Sequence, residues 1–299
     1  MVARHKKRAG TAGEAEDEAG GKQGVLYVVA TPIGNLEDIT LRALRLLREV
    51  DLIAAEDTRH TRKLLNHYEI NTPLLSYYRE KEAQRADGIV ARLAAGENVA
   101  LVSDAGTPGI ADPGAVLVNK ARAAGFPVVP VPGASALIAL LSAVGQVEAG
   151  HLFLGFLPAR ANERRKFLQT LIAEPRPLIF YEAPHRLLAT LADCLAVFGD
   201  RPAAVGRELS KLHEEVRADA LSALREIFSA KGAVKGEFVV LVEGRREPGE
   251  RPEADNLREL AAWHREQGLS LKDTARRIAD DLGLSRSQVY RQLLDFWDS

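Results

Sequence analysis

A strand that runs into a loop of small residues lies at residues 98–114, which read NVALVSDAGTPGIADPG. Residues 99–102 form a short continuous apolar run, typical of a strand covered on both faces of a sheet. In the loop that follows, Pro108-Gly109 predicts a type II turn, and Asp112 is predicted to cap the next helix. Because a loop of such small residues lets a ligand approach the backbone closely, the sequence favours a binding loop over a simple turn.

The same strand–loop–helix order repeats on both sides of this stretch. The predicted strands of the first half cover residues 25–30, 52–55, 74–77, 99–102 and 128–131. Segments with helical spacing of apolar residues separate them. This alternation implies right-handed crossovers and a mostly parallel sheet, so the predicted fold class is α/β.

Loops rich in Gly, Pro or Asp follow three of these strands, at residues 32–35, 104–109 and 132–135. Open α/β sheets bind ligands beyond the carboxyl ends of their strands. We therefore expect the three loops to share one edge of the sheet and to form a ligand site there.

The chain is predicted to divide into four parts. These are a disordered tail at 1–23, an N-terminal α/β domain at 24–148, a C-terminal α/β domain at 149–245 and a helix-turn-helix-like segment at 253–299. The tail begins basic, turns acidic and lacks the apolar core of a secretory signal. Strands of the second α/β domain are predicted at residues 152–156, 178–181, 203–205 and 238–242.

Two capping boxes suggest the architecture of the last segment. Ser270 with Asp273 and Ser285 with Gln288 each have the spacing of a capping box at a helix start. A short turn containing Gly283 separates the two predicted helices, so the segment resembles a helix-turn-helix.

Charge, cysteine content and hydropathy narrow the setting of the protein. Lys and Arg number 40 against 41 Asp and Glu, so overall charge makes no case for a nucleic-acid or membrane partner. The single Cys194 excludes an intrachain disulfide and favours a reducing compartment. The longest apolar stretch, residues 134–144, is too short to span a bilayer. We expect a soluble, cytoplasmic protein with no membrane partner.

Several familiar chemistries leave no trace in the sequence. It has no phosphate-binding P-loop, no dinucleotide fingerprint after a strand, no H-E-x-x-H zinc motif and no G-x-S-x-G nucleophile elbow. One cysteine cannot build a thiolate zinc site, and no metal site is predicted. An NTPase, a dehydrogenase, a metalloprotease and a serine hydrolase are therefore disfavoured.

Short motifs in chain order resemble the tetrapyrrole (corrin/porphyrin) methylase superfamily. They are TPIGN (31–35), AAEDTRHT (54–61), LVSDAGTPGIADPG (101–114), VPGASA (131–136), GFLP (155–158), FYEAPHRL (180–187), REL (207–209) and KGE (235–237). Within the superfamily they are most similar to the methylases of small-subunit ribosomal RNA. The resemblance covers about residues 24–244.

The resemblance implies two α/β domains, a cleft between them that holds S-adenosylmethionine, a C-terminal helix-turn-helix-like segment and a homodimer. It implies transfer of a methyl group to the ribose 2′-hydroxyl of a cytidine in the RNA of the small ribosomal (30S) subunit. The cofactor-binding residues that it implies are Pro32, Gly34, Asp104, Gly106, Thr107, Ala134, Ser135, Tyr181, Glu182, Gly236 and Glu237. Ordinary turn chemistry also accounts for the glycines, and Glu237 could be a surface residue at the start of a strand.

The predicted substrate-binding residues are polar residues that follow two of the predicted strands. They are Arg59, His60, Arg207, Glu208 and Lys211. An equal alternative is that Asp57 caps a helix and Arg59 is solvated. Because a sugar hydroxyl is a poor nucleophile, a nearby base is expected. Asp57 is the predicted base, with Glu182 and Lys211 as rivals.

Two other functions stay open from the sequence. The first is methylation of a corrinoid or porphyrin by a member of the same superfamily. The second is a helix-turn-helix regulator whose methylase-like domains only sense the cofactor. Residues 270–299 contain equal numbers of basic and acidic side chains, but Arg286, Ser287, Gln288 and Arg291 cluster near the start of the last helix. The tail is therefore equally compatible with RNA binding and with packing.

Overall fold

The structure is a computed structural model that describes residues 23–145, 150–232, 235–245, 257–282, 284–294 and 297. One compact unit extends to Glu243 and contains both sheets, and a second holds the C-terminal helices together with residues 173–175. Apart from Gln23, the predicted disordered tail lies outside the described residues. The predicted boundary at 148/149 stays a prediction, and the two sheets lie on either side of it.

The first sheet is parallel throughout, as predicted. Its strands are β1 (Leu26–Val29), β2 (Leu52–Ala55), β3 (Leu74–Ser76), β4 (Val99–Val102) and β5 (Val128–Val131), in the order β3-β2-β4-β1-β5. Parallel registers such as Leu52 opposite Val99 and Leu26 opposite Val128 hold it together. Strands β2 and β4 are buried at every residue, because helices cover both faces of the sheet.

Five helices accompany this sheet: α1 (Leu41–Glu49), α2 (Thr58–His67), α3 (Glu82–Ala94), α4 (Ala115–Ala123) and α5 (Ala136–Val144). Short 3₁₀ turns at Leu36–Asp38 and Arg79–Lys81 precede α1 and α3. One face of the sheet packs against α1 and α2, with Leu47 and Leu65 fully buried. The other face packs against α3 and α4 through residues such as Ile89 and Leu117.

The second sheet is mixed. It consists of β6 (Leu152–Phe156), β7 (Leu178–Glu182), β8 (Pro202–Arg207), β9 (Glu215–Ala220) and β10 (Phe238–Val242), in the order β6-β7-β10-β8-β9. Among these strands only β6 and β7 pair in parallel. The sequence did not predict β9, because EVRADA lies at the sheet edge and carries no apolar run.

Helices α6 (Ala161–Gln169), α7 (Leu187–Phe198) and α8 (Leu221–Ala230) alternate with the strands of the second sheet along the chain. Core residues of α6, α7 and α8 pack on one face of the sheet. The other face receives α5 of the first half, whose Leu140 is fully buried among Ile179 and Val239. The apolar helix α5 therefore joins the two sheets into one unit.

The C-terminal unit contains α9 (Leu257–Glu266), α10 (Leu271–Leu282) and α11 (Arg286–Leu294) around a small apolar core. The first capping box is confirmed in one of its two bonds, since the Asp273 N–H donates to the Ser270 hydroxyl at 3.2 Å, while the Asp273 carboxylate accepts from that hydroxyl at 2.7 Å. The second is wrong, because the Gln288 N–H donates to the Ser285 carbonyl at 3.0 Å and the Ser285 hydroxyl pairs with that of Ser287 at 2.8 Å. None of the described helices has the length and hydropathy needed to cross a bilayer.

Candidate active site

A cavity of about 420 Å³ lies at the carboxyl edge of the first sheet and against β7 and β10 of the second. Its wall includes Ile33, residues 104–107 and Ser135, one or more from each of the three predicted loops. The second half contributes residues 181–184 and 237–239. The prediction that the three loops meet at one edge is therefore confirmed.

A two-residue bridge joins the loops after β1 and β4. The Thr31 N–H donates to the Gly106 carbonyl at 2.9 Å, and the Gly106 N–H donates back at 3.1 Å. The Thr31 hydroxyl also donates to the Ser103 carbonyl at 3.0 Å. Gly106 and Gly109 have φ angles of 75° and 78°, which a side chain would strain. The cavity wall is thus a fixed backbone surface.

The predicted cap of α4 is wrong. Helix α4 begins at Ala115, and Asp112 lines the cavity instead of capping this helix. The carboxylate of Glu82 takes over this role, accepting from the N–H groups of Gly114 at 2.7 Å and Val116 at 3.3 Å. Local spacing cannot reveal this cap, because Glu82 comes from α3, over 30 residues earlier in the chain.

The cavity wall is strongly acidic. Its carboxylates are Glu56, Asp104, Asp112, Glu182 and Glu237. Burial, together with repulsion from Asp112 and Asp104, raises the pKa of Glu56 above its ordinary value of 4.5. Burial and the Asp104 carboxylate raise the pKa of Asp112 in the same way. A cavity with mutually repelling carboxylates favours a ligand that carries positive charge.

Asp104 organises the acidic side of this cavity. Its Oδ1 accepts from the Asp57 N–H at 3.1 Å, and its own N–H donates to Glu56 Oε2 at 3.3 Å. These bonds connect the loop after β4 to the loop after β2. The predicted placement of Asp104 in a ligand site agrees with its position in the wall.

Glu182 lies in the wall, but its carboxylate is occupied by its own chain. It is 2% exposed and accepts from the Thr190 hydroxyl at 2.6 Å and from the Ala183 N–H at 2.8 Å. Arg186 Nε lies 3.1 Å from Glu182 Oε1 as an ion pair, without the alignment of a hydrogen bond. Such a carboxylate stabilises the turn between β7 and α7, which disfavours it as a base.

Asp57 caps α2, in agreement with the simpler of the two alternatives. Its carboxylate accepts from the Arg59 N–H at 2.8 Å and pairs with the Arg59 guanidinium at 3.2 Å. The hydrogen bonds from Arg59 lower the pKa of Asp57. The Arg59 side chain is 91% exposed, and His60 is exposed beside it. Asp57 does not belong to the cavity wall.

Lys211 holds two carboxylates at the mouth of the cavity. Its Nζ donates to Glu208 Oε1 at 2.9 Å and to Glu237 Oε2 at 3.0 Å. Burial lowers the pKa of Lys211, but the bonds to Glu208 and Glu237 outweigh this and raise it. A lysine kept in its charged form disfavours the role of general base. Its stem crosses Gly34, where an added Cβ would lie 2.3 Å from Lys211 Cγ.

The segment that carries Lys211 has a strained backbone. Glu208 and Ser210 have φ angles of 49° and 69°, in the left-handed region that side chains disfavour. Gly236 faces the same segment, and a Cβ there would come within 2.5 Å of Glu208 Cγ. Non-glycine residues in this conformation concentrate at functional sites. Arg207 donates from Nε to the Lys235 carbonyl at 2.8 Å.

The predicted cofactor-binding residues separate into two groups. Those that line the cavity are Asp104, Gly106, Thr107, Ser135, Tyr181, Glu182 and Glu237. Pro32, Gly34, Ala134 and Gly236 lie outside the wall as described. Glu56 and Asp112 line it but were not predicted as ligands, although both belong to motifs that follow strands. Their position after a buried strand is the signal that could have identified them.

Two joined α/β halves with an acidic small-molecule cavity between their sheets define a class of two-domain α/β proteins that bind a cationic ligand. The sequence profile of the tetrapyrrole (corrin/porphyrin) methylases matches residues 25–225. The chain belongs to this family.

Relatives and solved structures agree with this assignment. Ribosomal RNA small subunit methyltransferase I of Pseudomonas aeruginosa is 50% identical over 275 residues, which cover 91% of this chain and 97% of that protein. The protein of the same name from Synechocystis sp. is 46% identical over 91% of this chain and 98% of its own length. Uroporphyrin-III-C-methyltransferase from Thermus thermophilus shares the fold, with a TM-score of 0.52, 22% identity and coverage of 74% of this chain and 94% of that one.

The chain is therefore a methyltransferase, and S-adenosylmethionine is its methyl donor. The cavity fits that molecule in size and charge. Its volume of about 420 Å³ lies in the range of small-molecule sites. The sulfonium and ammonium groups are positive, and the wall supplies carboxylates. Asp104, Gly106, Ser135 and Glu237 are the predicted residues that would hold it.

Cofactor affinity is expected to fall as the pH is lowered through the raised pKa values of Glu56 and Asp112. A cationic ligand favours ionised carboxylates, so protonation of these groups opposes binding. Calorimetric titration across the acidic range would measure this dependence. The affinity of the double variant Glu56→Gln/Asp112→Asn should depend less steeply on pH. The surface variant Asp87→Asn should show the same pH dependence as the wild-type protein. An equally steep dependence in the double variant would contradict the prediction.

Proposed function

We propose that this protein transfers a methyl group from S-adenosylmethionine to the ribose 2′-hydroxyl of a cytidine in small-subunit ribosomal RNA. The observation that carries the proposal is the high identity, over most of the chain, to relatives whose names state the small ribosomal subunit. The porphyrin methyltransferase structure is only 22% identical and supports the shared fold alone. We therefore take the methyl acceptor from these two relatives, and not from the porphyrin methyltransferase.

In the proposed reaction the ribose 2′-oxygen attacks the methyl carbon in line with the bond to sulfur. When bound, S-adenosylmethionine would supply an electrophilic methyl group and would be left as a neutral thioether. The hydroxyl proton passes to a base of this chain. Catalysis then depends on positioning and on that base. Asp104 and the backbone of the loop after β4 would hold and orient the donor.

We infer that Glu56 is the carboxylate that accepts this proton. Glu56 lines the cavity, and burial raises its pKa, which makes it a stronger base than an ordinary carboxylate. Its neighbour Asp57, the base predicted from sequence, pairs with Arg59, and its pKa is lowered. The role of Asp57 stays a prediction that the same experiment tests.

Replacing Glu56 with Gln is expected to lower kcat by about 100-fold, a typical loss for a general base. Asp57→Asn should lower kcat far less, because an asparagine still caps α2. Single-turnover methylation with saturating cofactor would measure both. A large loss in Asp57→Asn with little loss in Glu56→Gln would reverse the assignment.

The substrate-binding proposal keeps Arg59, His60, Arg207, Glu208 and Lys211. The exposure of Arg59 and His60 beside the acidic cavity supports a contact with RNA phosphate or base. Lys211, Glu208 and Glu237 form one ion-paired cluster over Gly34. This cluster supports a positioning role for Glu208 and Lys211 at the mouth of the cavity.

Incubation of the purified protein and labelled S-adenosylmethionine with small ribosomal subunits that lack their own methylation would test the function. Digestion and mapping of the label should place it on the ribose of one cytidine. Label on a base, or on an added porphyrin or corrinoid but not on RNA, would contradict the proposal. Binding of one specific DNA duplex without any methyl transfer would favour the alternative of a helix-turn-helix regulator.

We also infer that the protein is a cytoplasmic homodimer. The ribosomal substrate supports the cytoplasmic setting. Helix α5 is apolar apart from Ser142, yet Ile138 is 57% exposed and Leu141 only half-buried. An exposed apolar helix face supports an interface between copies of this chain.

The substitution Ile138→Glu is expected to shift the protein from dimer to monomer in light scattering. The charge would be buried without a partner in an apolar interface, which is unfavourable. Ile172→Glu is the matched control, because Ile172 is 47% exposed and lies outside α5. An unchanged mass for Ile138→Glu would exclude this face as the interface.

A further inference from the structure

A groove separates α10 and α11 of the C-terminal unit. Its wall consists of Lys272, Asp273, Ala275, Arg276, Arg286, Ser287, Tyr290, Arg291 and Leu294. Helix α10 supplies one side and α11 the other. The sequence drew attention to the arginines of α11 alone, whereas the fold adds the cations of α10 to the same surface.

The folding of this unit separates its charges. Four basic residues face the groove, and Asp273 is the one carboxylate among the described residues of its wall. Asp273 accepts from the Ser270 hydroxyl at 2.7 Å and pairs with Arg276 at 3.4 Å. Arg286 pairs with Asp280 at 3.0 Å. The segment is neutral in total, but the groove is not.

Lys272 and Arg291 provide exposed positive charge in this groove. Neither side chain has a carboxylate partner among the residues that the structure describes, and both are exposed. They lie on opposite helices across the groove. Two exposed cations on a concave surface are suited to phosphate groups of a polyanion.

An aromatic side chain lines the same groove as these charges. Tyr290 is 39% exposed and Leu294 is 55% exposed, while Val289 and Leu293 on the same helix fill the core. With Arg286, Tyr290 and Leu294 at successive four-residue intervals, these side chains share one face of α11. A flat ring beside cations is the arrangement on which an unpaired base stacks.

We propose that the groove between α10 and α11 binds the RNA substrate, with Lys272 and Arg291 holding phosphates and Tyr290 stacking an unpaired base. Unpaired bases are the usual targets of sequence-specific RNA recognition, and an exposed tyrosine serves them. This inference rests on the proposed function, since it assigns a second contact to the same substrate. It gives the C-terminal unit a role in substrate docking.

The full-length double variant Lys272→Ala/Arg291→Ala tests the phosphate contacts on small ribosomal subunits that lack their own methylation. We expect binding to weaken by about 10-fold and the salt dependence of log K to flatten by about one unit per residue. KM for the subunits should rise, while kcat and the calorimetric cofactor affinity stay within about twofold. Arg277→Ala is the control, because Arg277 is also exposed on α10 but lies outside the groove.

Tyr290 separates stacking from simple packing. Tyr290→Ala should weaken binding to the subunits by about 10-fold, and Tyr290→Phe, which keeps the ring, should retain it. Equal losses in both variants would overturn the stacking contact.

Other outcomes distinguish this inference from the function on which it rests. If the wild-type protein methylates the subunits and the groove variants bind them as tightly as Arg277→Ala does, the groove is not an RNA contact. The proposed function would then still stand. Failure of the original protein to bind or methylate the subunits would overturn both. Tighter binding of a specific DNA duplex than of the subunits would replace RNA with DNA as the ligand.

Discussion

Replacing Asp104 with alanine is expected to weaken the binding of S-adenosylmethionine by about 10- to 100-fold. Asp104 lies in the cavity wall two residues after the buried strand β4, where its carboxylate would face a cationic ligand. Hydrogen bonds to charged groups contribute about 1.5–3 kcal/mol each, which corresponds to this loss of affinity. Alanine also removes the acceptor of the Asp57 N–H bond at 3.1 Å. Calorimetric titration at neutral pH measures the effect directly.

Two further variants separate the effect of the lost charge from the effect on local structure. Asp104→Asn keeps an acceptor for the Asp57 N–H and removes only the charge, so it should account for most of the loss. Asp87→Ala removes a carboxylate from the surface of α3 and should bind normally, because Asp87 is 72% exposed and pairs with Lys120. Near-normal affinity of Asp104→Ala would show that this carboxylate does not face the cofactor.

Replacing Arg164 with methionine is expected to lower the free energy of unfolding by about 3–5 kcal/mol. The Arg164 side chain is 3% exposed, and its Nε and Nη2 donate to Asp193 Oδ2 at 2.8 and 2.6 Å. Methionine would leave the Asp193 carboxylate buried without its main partner. Denaturant unfolding measures the change, and cofactor affinity at low temperature should stay normal because the pair lies outside the cavity wall.

The double variant Arg164→Met/Asp193→Leu tests the cause. Removing both charges should recover most of the lost stability, because a well-packed apolar pair replaces a buried ion pair at little cost. Arg160→Met is the surface control, since the Arg160–Glu163 pair is 84% and 56% exposed and should contribute less than about 1 kcal/mol. A double variant as unstable as Arg164→Met would mean that packing, rather than unpaired charge, causes the loss.

Local sequence patterns were sufficient to predict the strands of the first half of the chain. Each predicted strand there overlaps an observed one, because buried parallel strands have continuous apolar runs. The prediction failed at β9, a polar edge strand whose residues 215–220 are held by pairing with β8. An edge strand needs a partner more than an apolar face, and the partner is not visible in its own residues.

Side chains from distant parts of the chain account for the other differences. Glu82 reaches the start of α4 from α3 and leaves Asp112 in the cavity wall. Lys211 crosses Gly34 and pairs with Glu237, three residues that share no local motif. The candidate base changed for the same reason, since burial of Glu56 is a property of the assembled cavity.

The sequence by itself determined the parallel sheet, the loops at its edge, the family and the methyl donor. It could do so because apolar periodicity and short motifs are properties of neighbouring residues. Only the tertiary structure decided which carboxylates share the cavity and which cations of α10 and α11 line the same groove. Burial and ion pairing depend on side chains that folding brings together from distant positions, and these interactions set the charge of each site.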